Sequence, residues 1–170
     1  SVAGGSGGGV CDDIVCTSTV DGIFGETQTL DLASGLGGIS LGGAVGITGM
    51  ADTEISKRRN VGSIGCVEET GFAQNAGTGI TDFQDAITTT VGNFAFIGNK
   101  LTISSVNPST IAGSMTVTNA GTFTTGATAD VTANGGEFIQ NGLGVNSLGG
   151  DITSTTDGIA FATAVTLTNA

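Results

Sequence analysis

The chain has no histidine, tryptophan or tyrosine, a single proline, and only 4 Lys and Arg in 170 residues. Without histidine, Ser-His-Asp and Cys-His catalysis and His-ligated metal centres are excluded within the chain. The lack of tryptophan and tyrosine removes the ring platforms on which sugars commonly stack. The few cations face 15 Asp and Glu, for a net charge of −11. Phosphate backbones and anionic lipid surfaces would therefore repel the chain, and no nucleic-acid binding is expected. Long hydrophobic runs are missing too. The stretch from Ile159 to Leu167 is interrupted by Thr163 and Thr166 and falls short of the ~20 apolar residues of a membrane span, so no membrane insertion is expected. The chain opens without the basic and then apolar pattern of a secretory leader. A leader is expected to have been removed, or to lie upstream in a larger parent.

What is present is 31 Gly, with Thr, Ser, Asn, Val and Ile filling much of the remainder. That mixture favours short strands and tight turns over helices. A mean hydropathy of +0.30 with 38% apolar residues is too apolar for a disordered chain, and 170 residues suit one domain. The Gly-rich segment 1–13 reads as flexible linker and residues 14–170 as the folded part, with an irregular charged loop near 52–74 carrying Lys57, Arg58, Arg59, Glu68 and Glu69.

Short runs with period-two alternation recur between Gly, Asn and Asp turns, among them Thr29–Leu32, Gly38–Leu41, Asn93–Phe96, Leu101–Ser104, Met115–Thr118 and Val165–Thr168. A longer period overlies them. Leu101, Phe123, Val145 and Leu167 follow one another at 22 residues, and the adjacent Thr102, Thr124, Asn146 and Thr168 keep the same step. The first set reads as an inward core stack and the second as an outward ladder. Phe94, Met115, Phe138 and Phe161 form a second apolar column with small slips, as do Ile111, Val131 and Ile152, and Leu41, Ile64 and Ile87 extend the period toward the N-terminus. Repeats of 20 to 50 residues signal stacked units, and three short strands with their turns fit one such step. The expected fold is all-β, a right-handed parallel β-helix (β-solenoid) with about 22 residues per coil. An antiparallel sandwich would suit the strand spacing but gives no reason for a constant step.

Segments Thr19–Gly22, Gln28–Leu32, Gly38–Gly46 and Gly136–Leu167 resemble repeats of filamentous-haemagglutinin-like bacterial exoproteins. The resemblance covers most of 17–50 and 79–170. It implies a parallel β-helix exported to the bacterial cell surface, often within a very long adhesin, and it supplies no catalytic residues. Segment 52–74 and the three Cys depart from the family pattern.

The remaining chemistry is sparse. Cys11 and Cys16 are spaced to close a small disulfide loop, with reduced, half-buried thiols as the alternative, and Cys66 is left over. Consecutive Lys57, Arg58 and Arg59 read as a solvated loop rather than a lyase site, since neighbours in a strand face opposite ways. The pairs Asp12 with Asp13, Glu68 with Glu69 and Asp82 with Asp85 read as solvated acids, and weak Ca²⁺ binding is the one cofactor reading they allow. Asn119, Asn134, Asn141 and Asn169 read as turn residues. The Thr ladder raises ice binding, although its companion column holds only Thr122 and Thr166. The expectation is a non-enzymatic extracellular structural or adhesive solenoid that associates end to end or continues in a longer chain, with surface glycans as further partners. An ice- or carbohydrate-binding β-helix is the alternative, and a carbohydrate-active enzyme comes third.

Overall fold

The computed structural model describes residues 71–169 in full and, ahead of them, the backbone of seven strands. In chain order the strands are β1 (Val2–Ala3), β2 (Ile14–Cys16), β3 (Gln28–Ala33), β4 (Gly38–Leu41), β5 (Met50–Ile55), β6 (Asn60–Ile64) and β7 (Val67–Glu69). They continue as β8 (Phe72–Gln74), β9 (Ile80–Phe83), β10 (Ile87–Thr89), β11 (Phe94–Gly98), β12 (Lys100–Ile103), β13 (Ser109–Ile111) and β14 (Met115–Asn119). The last are β15 (Phe123–Thr125), β16 (Val131–Ala133), β17 (Phe138–Gln140), β18 (Asn146–Leu148), β19 (Ile152–Ser154), β20 (Ile159–Phe161) and β21 (Val165–Leu167).

Successive strands pair with strands of the next coil, always in parallel, and build three sheets. Sheet A runs β1-β3-β5-β8-β11-β14-β17-β20, sheet B runs β2-β4-β6-β9-β12-β15-β18-β21, and sheet C runs β7-β10-β13-β16-β19. From β8 onward the chain visits A, B and C in turn. The fold is a parallel β-solenoid, and no helix occurs among the described residues.

Most strands hold only three residues, with the two end positions inward and the middle one half-exposed, as in Phe72–Gln74 and Phe138–Gln140. A period of two makes this pattern unavoidable in a strand that lies on a core. The core is a continuous apolar column. Phe83, Phe94, Phe96, Phe123 and Phe138 are fully buried, with Ile87, Leu101, Ile103, Ile111, Met115 and Val117 between them. Phe72 stacks on Phe94 with ring centroids 5.0 Å apart, and Phe83 meets both rings edge-on. Each such side chain contributes about 1.5–3 kcal/mol on leaving water.

Coil length averages 21 residues. Sheet A aligns Phe72, Phe94, Met115, Phe138 and Ile159, in steps of 22, 21, 23 and 21. Sheet B aligns Phe83, Ile103, Thr125, Leu148 and Leu167, in steps of 20, 22, 23 and 19. The corners absorb the variation. From the last inward position of sheet A to the first of sheet B the chain advances 7 residues (Gln74 to Thr81), then 5 (Phe96 to Leu101), 6 (Val117 to Phe123), 6 (Gln140 to Asn146) and 4 (Phe161 to Val165).

Two boundaries differ from the sequence expectation. Val2–Ala3, inside the Gly-rich segment 1–13, pairs with Leu32–Ala33. The charged segment near 52–74 holds β6, β7, β8 and most of β5, extending all three sheets, so strands run through the region expected to loop out. Strand pairing satisfies the backbone there whatever the side-chain charge.

Candidate functional surface

Leu101 and Phe123 are cross-strand partners and fully buried, and Thr102 and Thr124 are partners on the outer face. The 22-residue step fails at the next coil. Phe123 pairs with Asn146 rather than Val145, Asn146 pairs with Val165, and Leu167 pairs with Leu148. Val145 is therefore 58% exposed and Asn146 is 1% exposed, the reverse of the expected inward and outward roles. The cause is one extra residue in that coil, since a shift by one residue moves a strand's side chains to the opposite face. Leu167 keeps inward parity, but it belongs to the column of Ile103, and at the last coil it is 71% exposed. Thr168 follows β21 and is outside the ladder, which continues through Ser147 and Thr166.

Shifts by two residues are harmless to parity. Phe161 pairs with Gln140 rather than Phe138, and Ile111 pairs with Ala133 while Ser109 meets Val131. Leu41 and Ile64 are partners, but their column continues to Phe83, and Ile87 lies in sheet C beside Val67.

Sheet C carries a ladder that the sequence reading did not find. Thr88, Thr110, Thr132 and Thr153 occupy the middle, outward position of four neighbouring strands. The steps are 22, 22 and 21, so the same period search would have found it had the columns not been anchored on large apolar residues. With Thr102, Thr124, Ser147 and Thr166 on sheet B, two faces present hydroxyl rows at the ~4.8 Å strand spacing.

The interior beneath the A/B corner is polar. Gln140 Nε2 donates to Asn119 Oδ1 at 2.7 Å, Gly142 O at 2.9 Å and Gly144 O at 3.4 Å. Asn146 Nδ2 donates to Gln140 Oε1 at 3.3 Å and to Thr163 Oγ1 at 3.0 Å, while Asn146 Oδ1 finds no partner among the described residues. Asn119, expected as a plain turn residue, is 1% exposed and donates to Gly121 O at 2.6 Å. Asn134 and Asn141 stay at the surface, accepting from Thr155 and Thr118 in neighbouring coils. Asn169 is exposed.

The acids do not converge. Asp82 accepts from Ser104 at 2.7 Å and Asp85 from Asn107 at 2.9 Å, both across to the next coil. The Asn107 amide, helped by the Ala86 N–H, holds the Asp85 carboxyl below its ordinary value, against a small opposing effect of burial. No group of three His, Cys, Asp or Glu side chains that could hold a metal ion occurs among the described residues. Lys100 is exposed on sheet B. Cys11, Cys66, Asp12, Asp13, Lys57, Arg58 and Arg59 lie outside the described residues, and for Cys16, Glu68 and Glu69 only the strand backbone is described. No described helix is long and apolar enough to cross a membrane. No family model, curated protein or solved structure matches the chain.

Proposed function

We propose that the chain is a non-catalytic structural or adhesive segment of an extracellular β-solenoid fibre at a bacterial cell surface. The observation that carries this reading is the stack itself, in which parallel strands of successive coils pair in three sheets around a continuous apolar column, an architecture whose coils present long, regular outer faces. The resemblance of Gly136–Leu167 to haemagglutinin-like repeats supports the same reading, and surface glycans are the proposed partners. Electron microscopy of the concentrated chain and a glycan array test it. Filaments whose axis follows the coil stack, or glycan binding, are expected. Unassociated particles together with an empty array, or release of reducing sugar from polysaccharide, would overturn it.

The unbroken Thr88, Thr110, Thr132 and Thr153 row favours a second reading, in which sheet C orders water and binds ice. Slowed ice recrystallisation, lost on Thr132→Asp, is its expected signature. Crystal growth equal to that with an unrelated protein would sink it.

A further inference from the structure

Two of the described turns place an asparagine directly before a glycine, Asn134-Gly135 after β16 and Asn141-Gly142 after β17. In such a pair the glycine nitrogen can attack the asparagine Cγ, because no side chain on the glycine hinders the approach. Both asparagines are exposed, and the N–H groups of Gly135 and Gly142 find no acceptor among the described residues. The fold holds both glycines in place. A Cβ on Gly135 would lie 2.2 Å from Ala112 O, and one on Gly142 would lie 2.2 Å from the Asn119 backbone.

The two turns differ in the hydroxyl that meets them and in their freedom to move. At Asn134 the Thr155 hydroxyl of the next coil donates to the main-chain O and, at 3.3 Å, reaches Oδ1. The first contact draws electrons from the Asn134–Gly135 peptide and eases loss of the Gly135 proton. The second lies where negative charge builds on Oδ1 as the nitrogen adds to Cγ, the position at which a donor lowers a barrier. Asn134 N–H is tied to Ile111 O and Gly136 O to the Ser154 hydroxyl, but between them both polar groups of Gly135 are unbonded among the described residues, and Gly135 is exposed to water. At Asn141 the Thr118 hydroxyl meets Oδ1 alone. Gly142 is buried and its carbonyl accepts from Gln140 Nε2 at 2.9 Å, while Gly144 O accepts from Gln140 and from Thr163, so this turn is held against the rotation that an attack requires.

We infer that Asn134 is a site of self-modification, at which the Gly135 nitrogen closes on the Asn134 side chain with help from the Thr155 hydroxyl and the amide becomes a carboxylate. In the first step the bond from the Gly135 nitrogen to Cγ forms, the Cγ–Nδ2 bond breaks, and ammonia leaves with the proton that the Gly135 nitrogen gave up. A five-membered imide results. Water then adds to one of its two carbonyls, and the ring opens to aspartate or to its β-linked isomer without any change of oxidation state. The new charge adds to the net −11 and stands two residues beyond Thr132, at the margin of the hydroxyl row of sheet C. The reaction needs only the folded coil stack and proceeds whether or not the solenoid forms fibres.

Peptide mapping by mass spectrometry tests it on the full chain, incubated in mildly alkaline buffer beside a urea-unfolded sample until half of the unfolded Asn-Gly pairs have reacted. In the folded chain aspartate and its isomer are expected at Asn134, forming about tenfold faster than at Asn141 and faster as pH rises, since the attacking nitrogen must lose its proton. Thr155→Val should slow the reaction about fivefold, the worth of one hydrogen bond, while Thr155→Ser keeps the hydroxyl and should react at the wild-type rate. An Asn134 that stays intact in the folded chain, or equal rates at Asn134 and Asn141, overturns the site. A Thr155→Val chain as fast as the wild type, or a slowing shared by Thr155→Val and Thr155→Ser, overturns the part given to the hydroxyl.

Discussion

Gln140 and Asn146 face each other inside the solenoid, joined at 3.3 Å through Oε1 and Nδ2, in the same two columns where Gln74 and Thr81 are joined at 2.9 Å one end of the core away. The coils between them fill those columns with Phe96 and Leu101, then Val117 and Phe123. A polar residue at the end of sheet A thus meets a polar one at the start of sheet B, and apolar meets apolar, as the cost of an unpaired buried polar group demands.

Gln140→Leu tests this pairing. It removes the donor for Asn119 Oδ1 and Gly142 O, while Gly144 O keeps the Thr163 hydroxyl, for an expected loss of about 2–4 kcal/mol. Gln74→Leu, which strands mainly the Thr81 hydroxyl, should cost about 1–2 kcal/mol. Urea denaturation of both variants measures the difference, and equal losses would refute the greater weight given to Gln140.

The register itself is testable at adjacent positions. Phe123→Asp places an unpaired charge in the core and should prevent stable folding, whereas Thr124→Asp and Val145→Asp should each shift stability by less than about 0.5 kcal/mol. Thermal unfolding followed by circular dichroism decides. A collapse of Val145→Asp comparable to that of Phe123→Asp would restore the uniform 22-residue step.

Glycines differ in what surrounds them. Gly144→Ala forces its methyl group against the Gly121 carbonyl and should destabilise by several kcal/mol, while Gly158→Ala meets nothing within 4 Å and should be nearly neutral. Melting temperatures of the two variants provide the comparison, and similar values would contradict the close coil contact at Gly144.

The Asp85 carboxyl titrates below its ordinary value, principally because it accepts from Asn107. A depressed folded-state value means that its stabilising effect is present above the unfolded-state value of 3.8 and is lost as pH falls through the lower folded one. Asn107→Ala should therefore raise the Asp85 midpoint in a carbon-detected NMR titration. An unmoved midpoint would remove the Asn107 amide as the cause.

The architecture was legible because Leu101, Phe123 and their outward neighbours keep both parity and period, and a repeated pair of columns is hard to produce in any unstacked fold. Parity beyond Phe123 was not legible. Val145 and Asn146 sit beside an A/B corner whose length changes from coil to coil, and apolar character alone favours Val145 for the core. Only the buried partner Gln140, six residues before Asn146, explains why an amide is accepted inside. The Thr88, Thr110, Thr132 and Thr153 row was fully written in the spacing. Its inward neighbours obscure it, because Ser109 meets Val131 and Ile111 meets Ala133, so that the large apolar residues Ile111, Val131 and Ile152 step by 20 and 21 and fall out of line with the threonines.

The parallel pairing of every coil with the next also sets how the protein answers a pull. Its interstrand hydrogen bonds point along the stacking direction, so tension applied there loads only the three short strands that join one coil to its neighbour, and rupture proceeds one coil at a time. Each detached coil of about 21 residues frees on the order of 70 Å of extended chain. The stack then acts as a reel of tether, lengthening in equal increments under load while the coils behind remain wound.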